Sequence, residues 1–142
     1  MRQIEKRLLQ MCVVVASIVP LVAGISGIVK GAGMFRLSVT DADLDSHFRY
    51  LSGLLLAVGL GYLSTVARIE THAARFRLLT FIVIVGGLSR AAAMVTMGVP
   101  SRSMFGAVCM ELLVTPFLAL WQYRISRGDC DPAVPYAAAG RP

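Results

Sequence analysis

Hydrophobic residues are gathered into long runs along this chain, and short polar segments separate the runs. The hydrocarbon core of a membrane is about 30 Å thick and needs about 20 mostly apolar residues per helix. Four runs reach this length, over residues 8–29, 48–67, 78–98 and 104–123. They are about twice as long as a strand of a membrane barrel and lack its alternation of polar and apolar positions, which favours helices. The pattern predicts an all-α fold, an integral membrane four-helix bundle.

The two ends of the chain change this picture little. The first run follows a basic start, as in a secretory signal peptide, but it is longer than the roughly 7–15 apolar residues of such a peptide. We therefore interpret it as a membrane span. The C-terminal segment 125–142 contains three prolines and a run of alanines and is predicted to be a flexible cytoplasmic tail. Residues 1–124 are assigned to one four-helix transmembrane domain.

The composition is typical of a membrane protein. Hydrophobic residues make up 56% of the chain and charged residues 15%, whereas soluble domains average about 45–50% and about 25%. These values exclude a disordered chain, and three cysteines are too few for a disulfide-stapled secreted domain. The net charge of +6 does not indicate nucleic-acid binding, because the basic residues flank the apolar runs and form no patch of their own.

The distribution of the basic residues predicts the orientation of the bundle. With the N-terminus in the cytoplasm, nine of the 14 Lys and Arg residues lie on the cytoplasmic side and four on the other side. The cytoplasmic set is Arg2, Lys6, Arg7, Arg68, Arg75, Arg77, Arg124, Arg127 and Arg141. By the positive-inside rule, both termini are predicted to be cytoplasmic. The predicted location is the bacterial cytoplasmic (inner) membrane.

Two charged residues fall well inside predicted spans, Arg90 in the third and Glu111 in the fourth. Counting at 1.5 Å per residue places them roughly 12 Å and roughly 10 Å from the outer ends of their helices. The connection 99–103 is short and makes the two helices antiparallel neighbours. Since a charge in the membrane is costly unless it is paired, we predict an ion pair between Arg90 and Glu111.

Two roles are open for this pair. It can neutralise two costly charges and fix the register of the third and fourth helices. Alternatively, it can line a polar pocket toward the outer leaflet, where Arg90 holds a lipid phosphate or another anionic group. The small residues near both positions fit close packing and also leave room for a ligand.

A second polar group lies at the outer start of the second helix, in the stretch TDADLDSHFR. Alternating acidic residues resemble the start of a calcium loop, but the glycine and the final glutamate of that loop are missing, so no metal site is predicted. Helix capping and an i,i+4 pair between Asp45 and Arg49 explain the stretch instead. His47 lies on the same outer side as Arg90 and Glu111. Asp45, His47 and Arg49 are therefore predicted to form an outer polar cluster.

Small residues recur every four positions along the second helix, at Gly53, Ala57, Gly61 and Thr65. Such a stripe allows another helix to approach closely. The sequence contains no paired cysteines, no Ser/His/Asp set, no HExxH and no glycine-rich phosphate loop. No catalytic residue, cofactor or metal is therefore predicted, and an enzyme is the less favoured class.

Four segments resemble one bacterial family of small four-helix membrane proteins that is known only as a domain of unknown function. They are DSHFRYLSGLLLAVGLG, RFRLLTFIVIVGGLSR, MGVP and MELLVTPFLALWQYR. The resemblance covers about residues 8–124 and places the polar pattern of the family on Asp45, His47, Arg49, Arg90 and Glu111. It implies the four-helix fold but no activity.

Two functional hypotheses follow. The first is a non-enzymatic accessory or structural subunit that packs against other membrane proteins or against itself through the small-residue stripe. The second is a binding site for a lipid, quinone or other small molecule built on Arg90, Glu111, His47 and Arg49. The lipid bilayer is a further expected partner. No nucleic-acid partner is expected.

Overall fold

The structure, a computed structural model, describes residues 2–35 and 41–128, and every regular element in these ranges is helical. The elements are α1 (Arg2–Lys30), a 3₁₀ turn (Gly31–Phe35), α2 (Ala42–Val66), α3 (Ala73–Met97), α4 (Arg102–Cys109), a π turn (Met110–Val114) and α5 (Thr115–Gly128). α4, the π turn and α5 follow one another without a break and form the fourth long helix. Of the predicted tail, residues 125–128 belong to α5, and residues 129–142 lie outside the described residues.

Four helices are long and apolar enough to cross a membrane. They cover Gln3–Gly33, Ala42–Val66, Ala73–Met97 and Arg102–Arg127. The all-helical prediction with four long apolar helices is confirmed. α2 begins six residues before the predicted span because its polar first turn is also helical: the Asp41 side chain accepts hydrogen bonds from the amides of Asp43 and Leu44 at 2.9 and 3.2 Å.

The helices pack in cyclic order, each against its neighbours. α1 and α2 have the most extensive contact, α3 packs on the fourth helix, and the pairs α1/α5 and α2/α3 close the ring. The start of α1 and the end of α5 lie at one end of the bundle, here called the termini end. The connections between α1 and α2 and between α3 and α4 lie at the other end, here called the loop end.

Glycines allow α1 and α2 to approach closely. Gly24 and Gly27 on α1 are both buried. A Cβ atom on Gly24 would lie 2.8 Å from Leu56 Cβ, and one on Gly27 would overlap the Ser52 hydroxyl oxygen. The backbones are therefore closer than any larger residue would permit, which is the packing mode of small residues in membrane helices.

The packed core lies at the termini end. It contains Leu9, Val13, Tyr62, Ile69, Phe76 and Leu118. The rings of Tyr62 and Phe76 meet edge to face with centroids 5.1 Å apart, and the Tyr62 hydroxyl is 3.1 Å from Thr80 Oγ1. At the loop end, by contrast, Val95 and Met97 are 87% and 88% exposed. These two apolar side chains therefore make few packing contacts with other described residues.

The connection between α2 and α3 is fastened to the other helices. Gln10 of α1 donates a 2.6 Å hydrogen bond to the Val66 carbonyl, and Gln122 of α5 donates a 2.8 Å bond to the Ile69 carbonyl. Lys6 and Glu70 form an ion pair of 2.7 Å. The two glutamine amides satisfy the carbonyls of Val66 and Ile69. Glu70 Oε2 and Gln122 Oε1 are themselves buried without a hydrogen-bond partner among the described residues.

Candidate functional site

Arg90 and Glu111 lie next to each other in the loop-end half of the bundle. Arg90 projects from α3, and Glu111 is in the π turn of the fourth helix. Arg90 Nε lies 3.2 Å from Glu111 Oε1, and Arg90 Nη1 lies 3.3 Å from the sulfur of Met104. Measured along the helices, the pair is roughly 10 Å below the end of α3. Each charge is thus compensated at a depth where an isolated charge is costly.

A glycine brings the two helices together beside this pair. Gly87 is buried one turn before Arg90 on α3. A Cβ atom at this position would lie 2.9 Å from Glu111 Cβ and 2.8 Å from Leu112 Cδ2. The backbone of α3 therefore touches the side chains of the π turn, and this contact sets the distance between Arg90 and Glu111.

The π turn itself has a local cause. Pro116 lies two residues after its end, and a proline has no amide hydrogen and crowds the carbonyl four residues earlier. The Thr115 amide bonds to the Met110 carbonyl, five residues back, and the Thr115 hydroxyl donates to the same oxygen at 2.9 Å. Single π turns inside α-helices occur frequently at functional sites. Here the turn carries Glu111, one of the two charged groups of the pair.

A groove opens beside Arg90 between α3 and α4. Its volume is about 190 Å³. The lining consists of Arg90 and of apolar residues, which are Ala93, Met94, Met97, Gly98, Pro100, Met104 and Val108. The Arg90 side chain is 39% exposed, while that of Glu111 is 17% exposed. Arg90 thus lines the groove, and Glu111, which is not among the lining residues, is the more buried of the two.

One oxygen of Glu111 has no partner in the described part of the chain. Oε1 faces Arg90, whereas Oε2 is buried without a hydrogen bond. A buried carboxylate oxygen without a partner costs free energy. The arrangement around the pair is therefore not fully satisfied by the protein groups that the structure describes.

Asp45 and Arg49 form a separate polar set at the end of α1. Arg49 Nε donates a 2.7 Å bond to Asp45 Oδ2, and the Ala32 amide donates a 2.8 Å bond to Asp45 Oδ1. Arg49 Nη1 also donates to the carbonyls of Ile28 and Val29. These are carbonyls that the last turn of a helix leaves without intrahelical partners. The set closes the end of α1, whereas the first turn of α2 is capped by Asp41.

His47 points away from this arrangement. Its side chain is exposed, and its ring centroid is 6.4 Å from that of Tyr50. Among the described residues, no hydrogen bond or ion pair joins Asp45, His47 or Arg49 to Arg90 or Glu111. The structure thus brings the predicted site residues together as two pairs in different places.

The predicted small-residue stripe on α2 also divides. Gly61 packs against α3, where an added Cβ would lie 2.9 Å from Leu79 Cδ2, and Thr65 is fully buried. Gly53 has no atom within 4 Å of an added Cβ, and Ala57 is exposed. The half near the termini end is used inside the bundle, while the other half faces outward.

The methionines of the groove are not among the residues predicted from the sequence. Met94 and Met97 are three residues apart on α3, a spacing that places them on one helix face, and Met104 lies across the α3–α4 connection. This spacing was a usable signal, although it does not reveal a groove. In the part of the chain that the structure describes, no cluster of three His, Cys, Asp or Glu residues could hold a metal ion.

A family model for a domain of unknown function, DUF4345, matches residues 8–122. The match includes most of each long helix. It also includes the five predicted polar residues, which are Asp45, His47, Arg49, Arg90 and Glu111. The chain belongs to this family. The resemblance to a family of unknown function is thereby confirmed. Searches among curated proteins and solved structures gave no match.

Proposed function

We propose that this member of the family is a multi-pass membrane protein that binds a small molecule in the groove between α3 and α4. The observation that carries the proposal is the placement of Arg90, which is paired with Glu111 but keeps 39% of its side chain exposed beside apolar groove walls. A purely structural ion pair would be expected to be closed off from its surroundings. A charged hydrogen-bond donor at the edge of an apolar groove is typical of a ligand site.

The membrane setting of the proposal is supported by the surface of the bundle. Long apolar side chains are exposed on every helix, among them Val15 at 63%, Leu54 at 48% and Phe81 at 64%. An aqueous protein would not expose apolar side chains so continuously. We place both termini in the bacterial cytoplasm because nine basic residues lie toward that side. The loop end, and with it the groove, then faces the outer leaflet.

Native mass spectrometry tests the proposed binding. The full chain, extracted from its membrane in a mild detergent, is expected to carry a non-protein species that survives gentle activation. Arg90→Gln should weaken the affinity at least about tenfold and so lower the bound fraction, because one hydrogen bond from a charged donor contributes about 1.5–3 kcal/mol. Arg102→Gln is the matched control, since Arg102 is exposed and lies outside the groove lining.

The melting temperatures of both variants are measured in the same detergent. A variant that unfolds at the wild-type temperature but has lost the species supports a binding role for Arg90. If wild type carries no species, or if Arg102→Gln loses it equally, the groove is not the binding site.

A second candidate function is that of an accessory or structural subunit that packs against other membrane proteins or a second copy. The outward half of the α2 stripe favours it, because Gly53 and Ala57 have no helix packed on them within the described residues. Ala57→Leu should then disrupt an assembly seen by chemical cross-linking in membranes. Ala92→Leu, at another exposed alanine, is the control. A monomeric wild type would count against this candidate.

A further inference from the structure

We infer that the groove selects a compact, uncharged molecule with a carbonyl oxygen that accepts a hydrogen bond from Arg90, and that it does not hold a phospholipid. The inference rests on the proposed function, namely that the groove binds a small molecule. It adds the chemical class and the orientation of that molecule. Four features of the groove support it: charge, free donors, the order of polar and apolar walls, and size.

The charge of the site is already balanced. Arg90 is the one charged residue among the described residues that line the groove, and Glu111 lies 3.2 Å from it. A bound anion would leave a net negative charge between apolar walls, where an uncompensated charge is costly. A neutral acceptor adds no charge. The electrostatics therefore favour a carbonyl over a phosphate or a carboxylate.

Arg90 has hydrogen atoms to donate. A guanidinium carries five N–H groups in a fixed plane. Nε faces Glu111, and Nη1 faces the sulfur of Met104, which is a weak acceptor. Within the described part of the chain, the Nη2 group has no hydrogen-bond acceptor. A carbonyl oxygen in the groove would fill this position.

Arg90, the one charged residue among the described lining residues, lies deep in the groove, and apolar residues line the mouth. Arg90 lies roughly 10 Å below the end of α3. The residues nearer to the loop end, Met97, Gly98 and Pro100, are apolar. A phospholipid in a leaflet has the opposite order, with its headgroup at the surface and its chains deep. The groove instead suits a molecule that inserts its carbonyl first and leaves an apolar part above it.

The volume of the groove is suitable for about one ring. Its volume is about 190 Å³, and a dry apolar protein cavity of about 150 Å³ is known to take up benzene. A substituted six-membered ring is therefore of suitable size. The thioether side chains of Met94, Met97 and Met104 are flexible and can adapt to its substituents.

A matched pair of probes tests the inference. Duroquinone and durene share a tetramethylated six-membered ring, but only duroquinone has carbonyl oxygens, and full substitution prevents it from adding to cysteine thiols. The full chain, labelled with ¹³C in the methionine methyl groups, is titrated in phosphatidylcholine nanodiscs. Duroquinone should shift the methyl signals of Met94, Met97 and Met104 and leave that of Met11, which is exposed on α1. Durene should need at least about a tenfold higher concentration for the same shifts.

A double variant assigns the preference to the ion pair. Arg90→Leu with Glu111→Leu replaces both charges, an exchange that buried ion pairs often tolerate. Duroquinone and durene should then bind with equal affinity. The comparison of the two probes on wild type does not depend on this variant and decides the inference even if the variant does not fold.

The outcomes separate the inference from the proposed function. If durene binds as tightly as duroquinone, the carbonyl is not recognised and the inference is wrong. If phosphatidylglycerol in the nanodisc shifts the three methyl signals and duroquinone does not, the groove holds a lipid, so the inference fails while the proposed function stands. If none of these molecules shifts the three signals, both fail.

Discussion

Gly31 shows at one residue how sequence, backbone and polar contacts depend on each other. It follows the last residue of α1 and has a φ of +58°, in the left-handed region that favours glycine. A Cβ atom there would also overlap Asp45 Oδ1. The same Asp45 accepts from the Ala32 amide and pairs with Arg49. The turn after α1 can therefore close only because this position has no side chain.

We expect Gly31→Ala to destabilise the protein by at least about 1–2 kcal/mol, the cost of a left-handed conformation for a residue with a Cβ atom. The displacement of Asp45 adds to this cost. Gly33→Ala is the control, because a Cβ atom at Gly33 has nothing within 4 Å and its φ is not in the left-handed region. Unfolding by denaturant in detergent, followed by far-UV circular dichroism, measures both. Equal stabilities of the two variants would contradict the argument.

Glu70 predicts how stability depends on pH. The hydrogen bond from Lys6 holds the pKa of the Glu70 carboxyl below its ordinary value, although burial opposes the shift. A carboxyl with a lowered pKa in the folded state stabilises that state above the pKa of the unfolded chain. This stabilisation is lost as the pH falls through the lowered pKa. The connection between α2 and α3 should then loosen from α1.

Glu70→Gln should therefore reduce the fall in melting temperature between neutral pH and about pH 3 relative to wild type. Lys6→Met should lower the melting temperature at neutral pH, where the carboxylate loses its partner. Glu5→Gln is the control, because Glu5 is exposed on α1 and forms no ion pair among the described residues. If Glu70→Gln melts with the pH profile of wild type, the Lys6–Glu70 pair does not contribute to the profile.

At the scale of helices, the approach of α3 to the π turn depends on Gly87. Gly87→Ala should destabilise the bundle by about 1–3 kcal/mol, because the added methyl group must push aside Glu111 and Leu112. The neighbouring Gly86 is exposed, and a Cβ atom there has nothing within 4 Å. Gly86→Ala should therefore leave stability unchanged or raise it slightly, since alanine favours a helix.

Thermal unfolding in detergent compares the two alanine variants. A distance measurement between spin labels on exposed positions of α3 and α5 adds a geometric test, since only Gly87→Ala should widen the separation. If both variants behave alike, the contact at Gly87 does not set the distance between Arg90 and Glu111.

The sequence could predict the helices better than their faces. Runs of apolar residues have a length that a membrane fixes, so four helices followed from counting. The stripe of Gly53, Ala57, Gly61 and Thr65 could not be assigned to one neighbour by spacing alone. Gly61 of this stripe packs tightly against α3, Gly24 and Gly27 pack tightly against α2, and Gly53 contacts no neighbour. The contacts of a small residue thus depend on which helix is adjacent. Which helix packs against each small residue is set by the tertiary structure. A spacing of four residues along the sequence does not reveal it.

At the scale of the whole molecule, the two ends of the bundle differ in packing. The termini end carries the core and the fastened connection, and the loop end carries the groove. Counting residues was enough to place Arg90 and Glu111 at similar depth, and their side chains lie 3.2 Å apart. The groove, the free donors of Arg90 and the π turn arise from how the helices meet, so sequence counting could not show them.

The orientation of the whole molecule is open to a labelling test. Ser101→Cys and Thr71→Cys place thiols on exposed positions of the two opposite ends, in a chain whose own cysteines are replaced by serine. A membrane-impermeant maleimide should label Ser101→Cys on intact cells and Thr71→Cys only after permeabilisation. The reverse pattern would place the termini outside the cytoplasm and the groove toward the inner leaflet.

The π turn gives the fourth helix an angular offset. A turn closed by five-residue hydrogen bonds holds one residue more than an α-turn, and one residue of an α-helix corresponds to a rotation of about 100°. α4 and α5 therefore follow one axis, but the residue spacing that defines the bundle-facing side of α4 does not continue into α5. If the same five residues, Met110–Val114, formed a regular α-helix, α5 would be rotated by about 100° and Gln122 would turn away from the Ile69 carbonyl that it holds at 2.8 Å. The length of this short turn thus couples the aim of Glu111 at one end of the molecule to the closure of the other.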